Sequence, residues 1–257
     1  MPQIVNGKVP VTLNGAGALK EVALVKEKAS ADALPIYSAN FIKYLLLVAG
    51  ILLVLHLLVV LVILAGDEYN FLPTWQGKFY FAKKGNLPSF FSSFILLLSS
   101  CLLALIAAIK RKAKDYFATH WAGLALIFIA MAVDEAVGIH ELLLARFSPA
   151  DERYLVWGVA SGVFVLLFAV FYYQFYKSLN LAARRGFFTA GFCFLLGAIG
   201  FEMLGASLLN QGYNDRSLLF MAVMTTEEVL EMGSILFFVN VLFNYLKPYA
   251  TFGFVVK

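Results

Sequence analysis

The chain has 257 residues, of which 61% are apolar, 16% are aromatic and only 14% are charged, and its formal net charge is +4. Soluble domains carry about 25% charged residues, so this composition excludes an ordinary soluble fold, a disordered chain, and nucleic-acid binding as the main function. The apolar residues form blocks that are too long for one soluble core to cover. The composition therefore indicates a protein whose main partner is the lipid bilayer.

Six apolar blocks have about the 20 residues that a helix needs to cross a bilayer. Unpaired backbone groups that face lipid cost several kcal/mol each, which excludes loops and open sheet edges there. The predicted fold is therefore an all-α, polytopic membrane bundle of about six transmembrane helices. The predicted spans are 41–65, 89–109, 117–142, 154–176, 186–209 and 218–246.

One membrane domain, residues 41–246, is predicted between an N-terminal arm, residues 1–40, and a tail, residues 247–257. Within the arm, residues 17–28 place apolar side chains at helical spacing among lysines. This pattern is typical of an amphipathic helix that lies on a membrane surface. The alternative for the same segment is a mobile tail.

The distribution of Lys and Arg predicts the orientation of the bundle, because basic loops stay in the cytoplasm. With six spans both termini lie on one side. That side carries 14 of the 20 basic residues and the other side carries six. Both termini are therefore predicted to be cytoplasmic.

Seven of the 16 acidic residues lie inside the predicted spans, where the only basic side chain is Lys43 at the start of the first span. An ionised acid near the middle of a spanning helix costs about 2.5–3.5 kcal/mol. Such a set needs protons, a bound cation or a water-filled cavity to offset that cost. The seven residues are Asp134, Glu135, Glu141, Glu202, Glu227, Glu228 and Glu231.

In the predicted topology these acids, together with His56 and His140, fall in the outer half of four helices. Their common depth predicts one shared site. On the sixth helix Glu227, Glu231 and Ser234 follow i, i+4, i+7 spacing and form one acidic stripe.

The third helix presents a conflict of direction. Asp134 and Glu141 are seven residues apart and share a face, whereas Glu135 and His140 fall on either side of that face. Either Gly138 loosens the last turn of the helix, or one side chain points to the outer interface. Glu135 is predicted to be the structural member of the group.

Three classes of function fit these residues. The preferred hypothesis is a small transporter that binds a cation or cycles protons. Its cation- or proton-binding residues would be Asp134, Glu141, Glu202, Glu227, Glu228 and Glu231.

The second hypothesis is a membrane-embedded, metal-dependent hydrolase or oxidase, because carboxylate and imidazole groups are ligands for Zn, Fe, Mn or Ca. Neither an HExxH motif nor paired ExxH motifs are present, and His56 alone on an apolar helix is more typical of a packing residue. The third hypothesis is a non-catalytic subunit of a larger membrane complex, and a homo-oligomer is a further alternative. The metal ligands would be His56, His140, Asp134, Glu141, Glu202 and Glu231.

Two segments carry a resemblance to other proteins. Asn86-Leu-Pro-Ser-Phe-Phe-Ser-Ser93 leads into the second span, and Asp134-Glu-Ala-Val-Gly-Ile-His-Glu141 closes the third. Over roughly residues 85–145 the chain resembles a set of uncharacterised polytopic bacterial inner-membrane proteins. The resemblance implies a multi-pass protein of the bacterial inner membrane, and it implies no activity.

Overall fold

A computed structural model describes residues 38–66, 77–148 and 153–250. These residues are 87% helical and contain no strand. The amphipathic helix predicted at residues 17–28 lies outside this part of the chain. The helices are α1 (Ser38–Leu64), α2 (Leu87–Lys112), α3 (Ala118–Val137), α4 (Ile139–Phe147), α5 (Arg153–Ser178), α6 (Leu181–Leu195), α7 (Glu202–Asn210) and α8 (Leu218–Ala250), with a π-helical turn (Leu196–Phe201) joining α6 to α7.

Six of these segments are long and apolar enough to cross a membrane. Five are the single helices α1, α2, α3, α5 and α8, and the sixth combines α6, the π-helical turn and α7. The prediction of an all-α bundle with six spans is thereby confirmed, and the cytoplasmic location of the termini stays a prediction. Residues Ser38–Tyr245 form one compact unit.

Serine hydroxyls hold α2 against α3. Ser93 Oγ donates a hydrogen bond to the carbonyl of Ala132 at 2.7 Å, and Ser100 Oγ donates to the carbonyl of Ala125 at 2.8 Å. Small hydroxyl residues let two helix backbones approach closely and supply polar contacts that lipid does not.

Aromatic rings fill one end of the bundle. Trp121, near the start of α3, is 1% exposed, and its ring centroid lies 4.9 Å from that of Phe175, 5.8 Å from that of Phe187 and 4.9 Å from that of Tyr245. These four residues, from α3, α5, α6 and α8, are called the Trp121 cluster below. The cluster ties four spans together at the end opposite the acidic residues of α3.

The loop before α2 is attached to the bundle through His56 of α1. The backbone amide of Phe81 donates to His56 Nδ1 at 3.2 Å, and the two rings stack with centroids 4.0 Å apart. Thr225 Oγ1 lies 2.9 Å from His56 Nε2 and donates its own proton to the carbonyl of Met221. His56 Nε2 is therefore the donor to Thr225, and both ring nitrogens have protein partners.

Candidate functional site

A cavity of about 770 Å³ lies between α3, α5, the α6–α7 span and α8. The structure brings all seven predicted intramembrane acids to one end of this cavity. Its walls away from those residues are almost entirely apolar. The acidic end is defined by Asp134, Glu135, Glu141, Glu202, Glu227, Glu228 and Glu231.

A break at Gly138 aims the side chains that follow α3. Gly138 adopts a left-handed conformation (φ 69°, ψ 44°), which a residue without a Cβ adopts at little cost. The chain then restarts as α4, and Asp134 Oδ1 accepts a hydrogen bond from the backbone amide of His140 at 2.8 Å. This break resolves the conflict of direction on the third helix by the first of the two predicted routes.

His140 lies between two carboxylates. Its Nδ1 donates to Asp134 Oδ2 at 2.6 Å, and its Nε2 lies 3.6 Å from Glu202 Oε1. The imidazole also stacks on Trp157, at 4.6 Å between ring centroids, and Trp157 Nε1 donates a hydrogen bond to Glu202. One histidine thus connects α3, α5 and α7.

The two carboxylates favour a protonated His140. The hydrogen bond to Asp134, followed by the contact with Glu202, raises the pKa of His140 to about 10, although burial opposes the shift. An unfolded chain has a histidine pKa of about 6.5. The pairing therefore stabilises the fold fully below about pH 6.5, and this contribution is lost as the pH rises towards 10.

Replacing His140 with glutamine is expected to lower the free energy of unfolding by about 1–3 kcal/mol near pH 6, because the charge-assisted hydrogen bond to Asp134 and the ionic contact with Glu202 are lost. The difference from the unsubstituted protein should shrink as the pH rises to 10. Thermal unfolding in detergent at several pH values measures this. His120→Gln is the matched control, since His120 contacts the rings of Phe117 and Phe175. Parallel pH profiles for the unsubstituted protein and His140→Gln would contradict the prediction.

The stripe on α8 supplies the most buried carboxylates. Glu227 is 7% exposed and Glu228 is 6% exposed, and both line the cavity with Glu231. Among the described residues no hydrogen-bond partner exists for Oε2 of Glu227, and that atom is buried. A buried acceptor without a partner is costly, so a proton or a ligand would stabilise it.

One lysine reaches the acidic end from the loop before α2. Lys84 Nζ lies 2.8 Å from Glu135 Oε2. Burial disfavours the charged form of Lys84, but the carboxylates of Glu135, Glu228 and Glu231 outweigh that effect and hold the pKa of Lys84 well above its usual range. The expectation that no Lys or Arg side chain pairs with these acids is wrong for Glu135, because the loop before α2 provides Lys84.

Carboxyl groups still outnumber basic groups around the cavity. The described lining residues include seven acids, whereas their basic side chains are Lys83, Lys84 and His140. Within this lining, carboxyl groups therefore exceed basic groups by four. A protonated acid or an added cation can balance them.

The part of the chain that the structure describes contains no group of three or more His, Cys, Asp and Glu side chains arranged to hold a metal ion. His56 does not line the cavity, and its ring is fully buried beside Phe81 and Thr225. His140 does line it, with both nitrogens facing carboxylates. Glu141 is exposed at the rim of the acidic end. The described residues therefore provide no set of ligands for the metal ion that the metalloenzyme hypothesis requires.

Two residues of the site were missed by reading the sequence. Lys84 lies in a loop, three residues after Phe81, which contacts His56 of α1. Trp157 begins the fourth span, where a tryptophan usually indicates an interfacial anchor. The available signal was position alone, since Lys84 precedes the second span and Trp157 begins the fourth, both on the predicted side of the membrane that holds the acids.

The fold and the site define a class: a multi-pass, six-helix membrane protein with an acidic cavity inside the bundle. The chain belongs to the family described as Domain of unknown function (DUF8692), which matches residues 39–245. Comparison with curated proteins and with solved structures gave no match.

Proposed function

We propose that this protein is a small transporter of a bacterial inner membrane that binds a cation or cycles protons at the acidic end of its cavity. Its ligands or proton carriers are Asp134, Glu141, Glu202, Glu227, Glu228 and Glu231. The observation that carries the proposal is the buried, unpartnered oxygen of Glu227 in a cavity where acids outnumber bases.

The cost of burying the Glu227 carboxyl group supports a role in which it exchanges a proton or a cation, in preference to a permanently structural role. An acid that serves only as a contact between helices needs a fixed donor, and Glu227 Oε2 has none among the described residues. A carboxyl group without a fixed donor can accept a proton or a cation and release it again. Glu228 and Glu231 line the cavity on the same helix, and they offer two further carboxyl groups for that exchange.

The backbone that packs against the acidic stripe of α8 contains a π-helical turn, and this feature supports a movement of Glu202. The π-helical turn Leu196–Phe201 comes directly before Glu202, and its Gly197 packs against the backbone of Glu227. π-helical turns inside α-helices occur frequently at functional sites. A change in this turn would move Glu202 relative to α8, which is the kind of rearrangement that alternating access requires.

Proton flux in reconstituted vesicles tests the proposal. The purified protein is placed in liposomes that contain a pH-sensitive dye, and a potassium gradient with valinomycin drives protons inward. We expect flux that Glu227→Gln/Glu231→Gln removes, because an amide carries no proton. Replacing the proton gradient with gradients of Na⁺ or K⁺ tests the cation form of the proposal in the same vesicles.

Asp115→Asn is the matched control, since Asp115 pairs with Lys110 at 3.0 Å and does not line the cavity. This variant should retain the flux of the unsubstituted protein. Equal proton, Na⁺ and K⁺ flux in vesicles with the unsubstituted protein and with the double Gln variant would overturn the proposal.

A further inference from the structure

The cavity is much larger than a proton or an inorganic cation needs. A water molecule occupies about 30 Å³ of liquid, whereas this cavity has a volume of about 770 Å³. Cavities that hold organic ligands have volumes of about 300–1,000 Å³. The size therefore fits an organic molecule together with its charged group.

Away from the acidic end, phenylalanine rings form much of the wall. Phe128 of α3 stacks on Phe238 of α8, with 5.1 Å between ring centroids, and Phe187 of α6 meets Phe238 edge to face at 4.9 Å. Phe164 and Phe168 of α5 also line this part. Such a wall favours an apolar or aromatic body, and its rings attract organic cations.

The cavity is elongated along the helices. Trp157 lines it beside the acidic end, and Phe168 lines it eleven residues further along α5, which corresponds to about 16 Å. Beyond Phe168 lies the Trp121 cluster. A ligand that fills this space would lie along the helices, with its charged group at one end and its apolar body towards the cluster.

The ammonium group of Lys84 is an example of the kind of charged group that the acidic end binds. Its ammonium lies 2.8 Å from Glu135. Glu227 of α8 also lines the cavity and is more than nine-tenths buried, with 7% of it exposed, and its Oε2 has no hydrogen-bond partner among the described residues. A second ammonium, from a ligand, would provide the missing charge there. A zwitterionic lipid fits less well, because its phosphate would face the same carboxylates.

From these features we infer that the cavity binds a lipophilic organic cation, with the cationic group at Glu227, Glu228 and Glu231 and the apolar body between α3, α5, α6 and α8. This inference rests on the cation form of the proposed function and names its substrate class. An inorganic cation would leave the apolar part of the cavity unused.

Binding of tetraphenylphosphonium tests the inference, because tetraphenylborate has nearly the same shape and the opposite charge. Radiolabelled tetraphenylphosphonium is measured by equilibrium dialysis against the full chain in lipid nanodiscs. We expect saturable binding that weakens at least about tenfold in Glu227→Gln/Glu231→Gln. Tetraphenylborate, which has the same aromatic body but a negative charge, and tetramethylammonium, which has a positive charge without the aromatic body, should compete poorly.

Asp115→Asn should bind tetraphenylphosphonium as the unsubstituted protein does, and size-exclusion profiles show whether each variant is folded. Absence of saturable binding, equal binding by the double Gln variant, or equal competition by tetraphenylborate would overturn the inference. If binding fails while Glu227- and Glu231-dependent flux of protons, Na⁺ or K⁺ persists, the proposed function stands and the substrate class is wrong. If binding occurs without any such flux and without tetraphenylphosphonium uptake into vesicles, the cavity binds the cation and the transport proposal fails.

Discussion

Replacing Lys84 with methionine is expected to lower the free energy of unfolding by about 2 kcal/mol. Breaking a buried ion pair costs about 3–5 kcal/mol and a surface ion pair contributes about 0–1 kcal/mol. This pair lies between the two cases, because the Lys84 side chain is 32% exposed and the Glu135 side chain is 11% exposed. Glu135 would be left 11% exposed and without its cation. The measurement is reversible unfolding of the detergent-solubilised protein.

The companion variants make this a double-mutant cycle. Lys84→Met/Glu135→Gln should be more stable than the sum of the two single changes implies, because the double variant leaves no charge unpaired at this position. Lys83→Met is the matched control, since Lys83 is the adjacent exposed lysine and no ion pair of its side chain occurs among the described residues. Such a change costs less than about 0.5 kcal/mol. Additive single effects would show that the two side chains do not interact in the folded protein.

The six spans could be predicted because length and hydropathy alone determine them. Helical spacing also predicted the acidic stripe at Glu227, Glu231 and Ser234, and all three residues line the cavity. Periodicity within a single helix needs no knowledge of its neighbours. For this reason these features follow from the sequence, although the chemical roles of the residues stay predictions.

Contacts between distant segments could not be predicted in this way. Lys84 pairs with Glu135 from a loop that is itself attached to His56 of α1 through Phe81, and His56 in turn contacts Thr225 of α8. No spacing rule relates these positions. Glu135, predicted to be structural, does form an ion pair, and it also lines the cavity. Helix breaks could be predicted in part. The sequence indicated Gly138 as a position where the third helix could break, but it did not show the hydrogen bond from the His140 amide to Asp134 that accompanies the break.

Replacing Gly197 with alanine is expected to destabilise the protein by about 1–3 kcal/mol, the usual cost of overpacking. A Cβ at this position would lie 3.0 Å from the carbonyl oxygen of Glu227 and 3.0 Å from Cγ of Glu231. The backbone of α8 cannot yield as a flexible side chain would. The substitution must therefore push the π-helical turn away from the acidic stripe.

Gly191→Ala is the matched control on the same span, because nothing lies within 4 Å of a Cβ built there. Alanine is favoured over glycine in a helix by up to about 1 kcal/mol, so Gly191→Ala should be neutral or stabilising. Thermal unfolding compares the stability of the two variants. Proton or cation flux in reconstituted vesicles shows whether moving the π-helical turn away from the acidic stripe also slows transport. If Gly197→Ala were as stable and as active as Gly191→Ala, close packing of the π-helical turn on Glu227 and Glu231 would have no part in holding the site together.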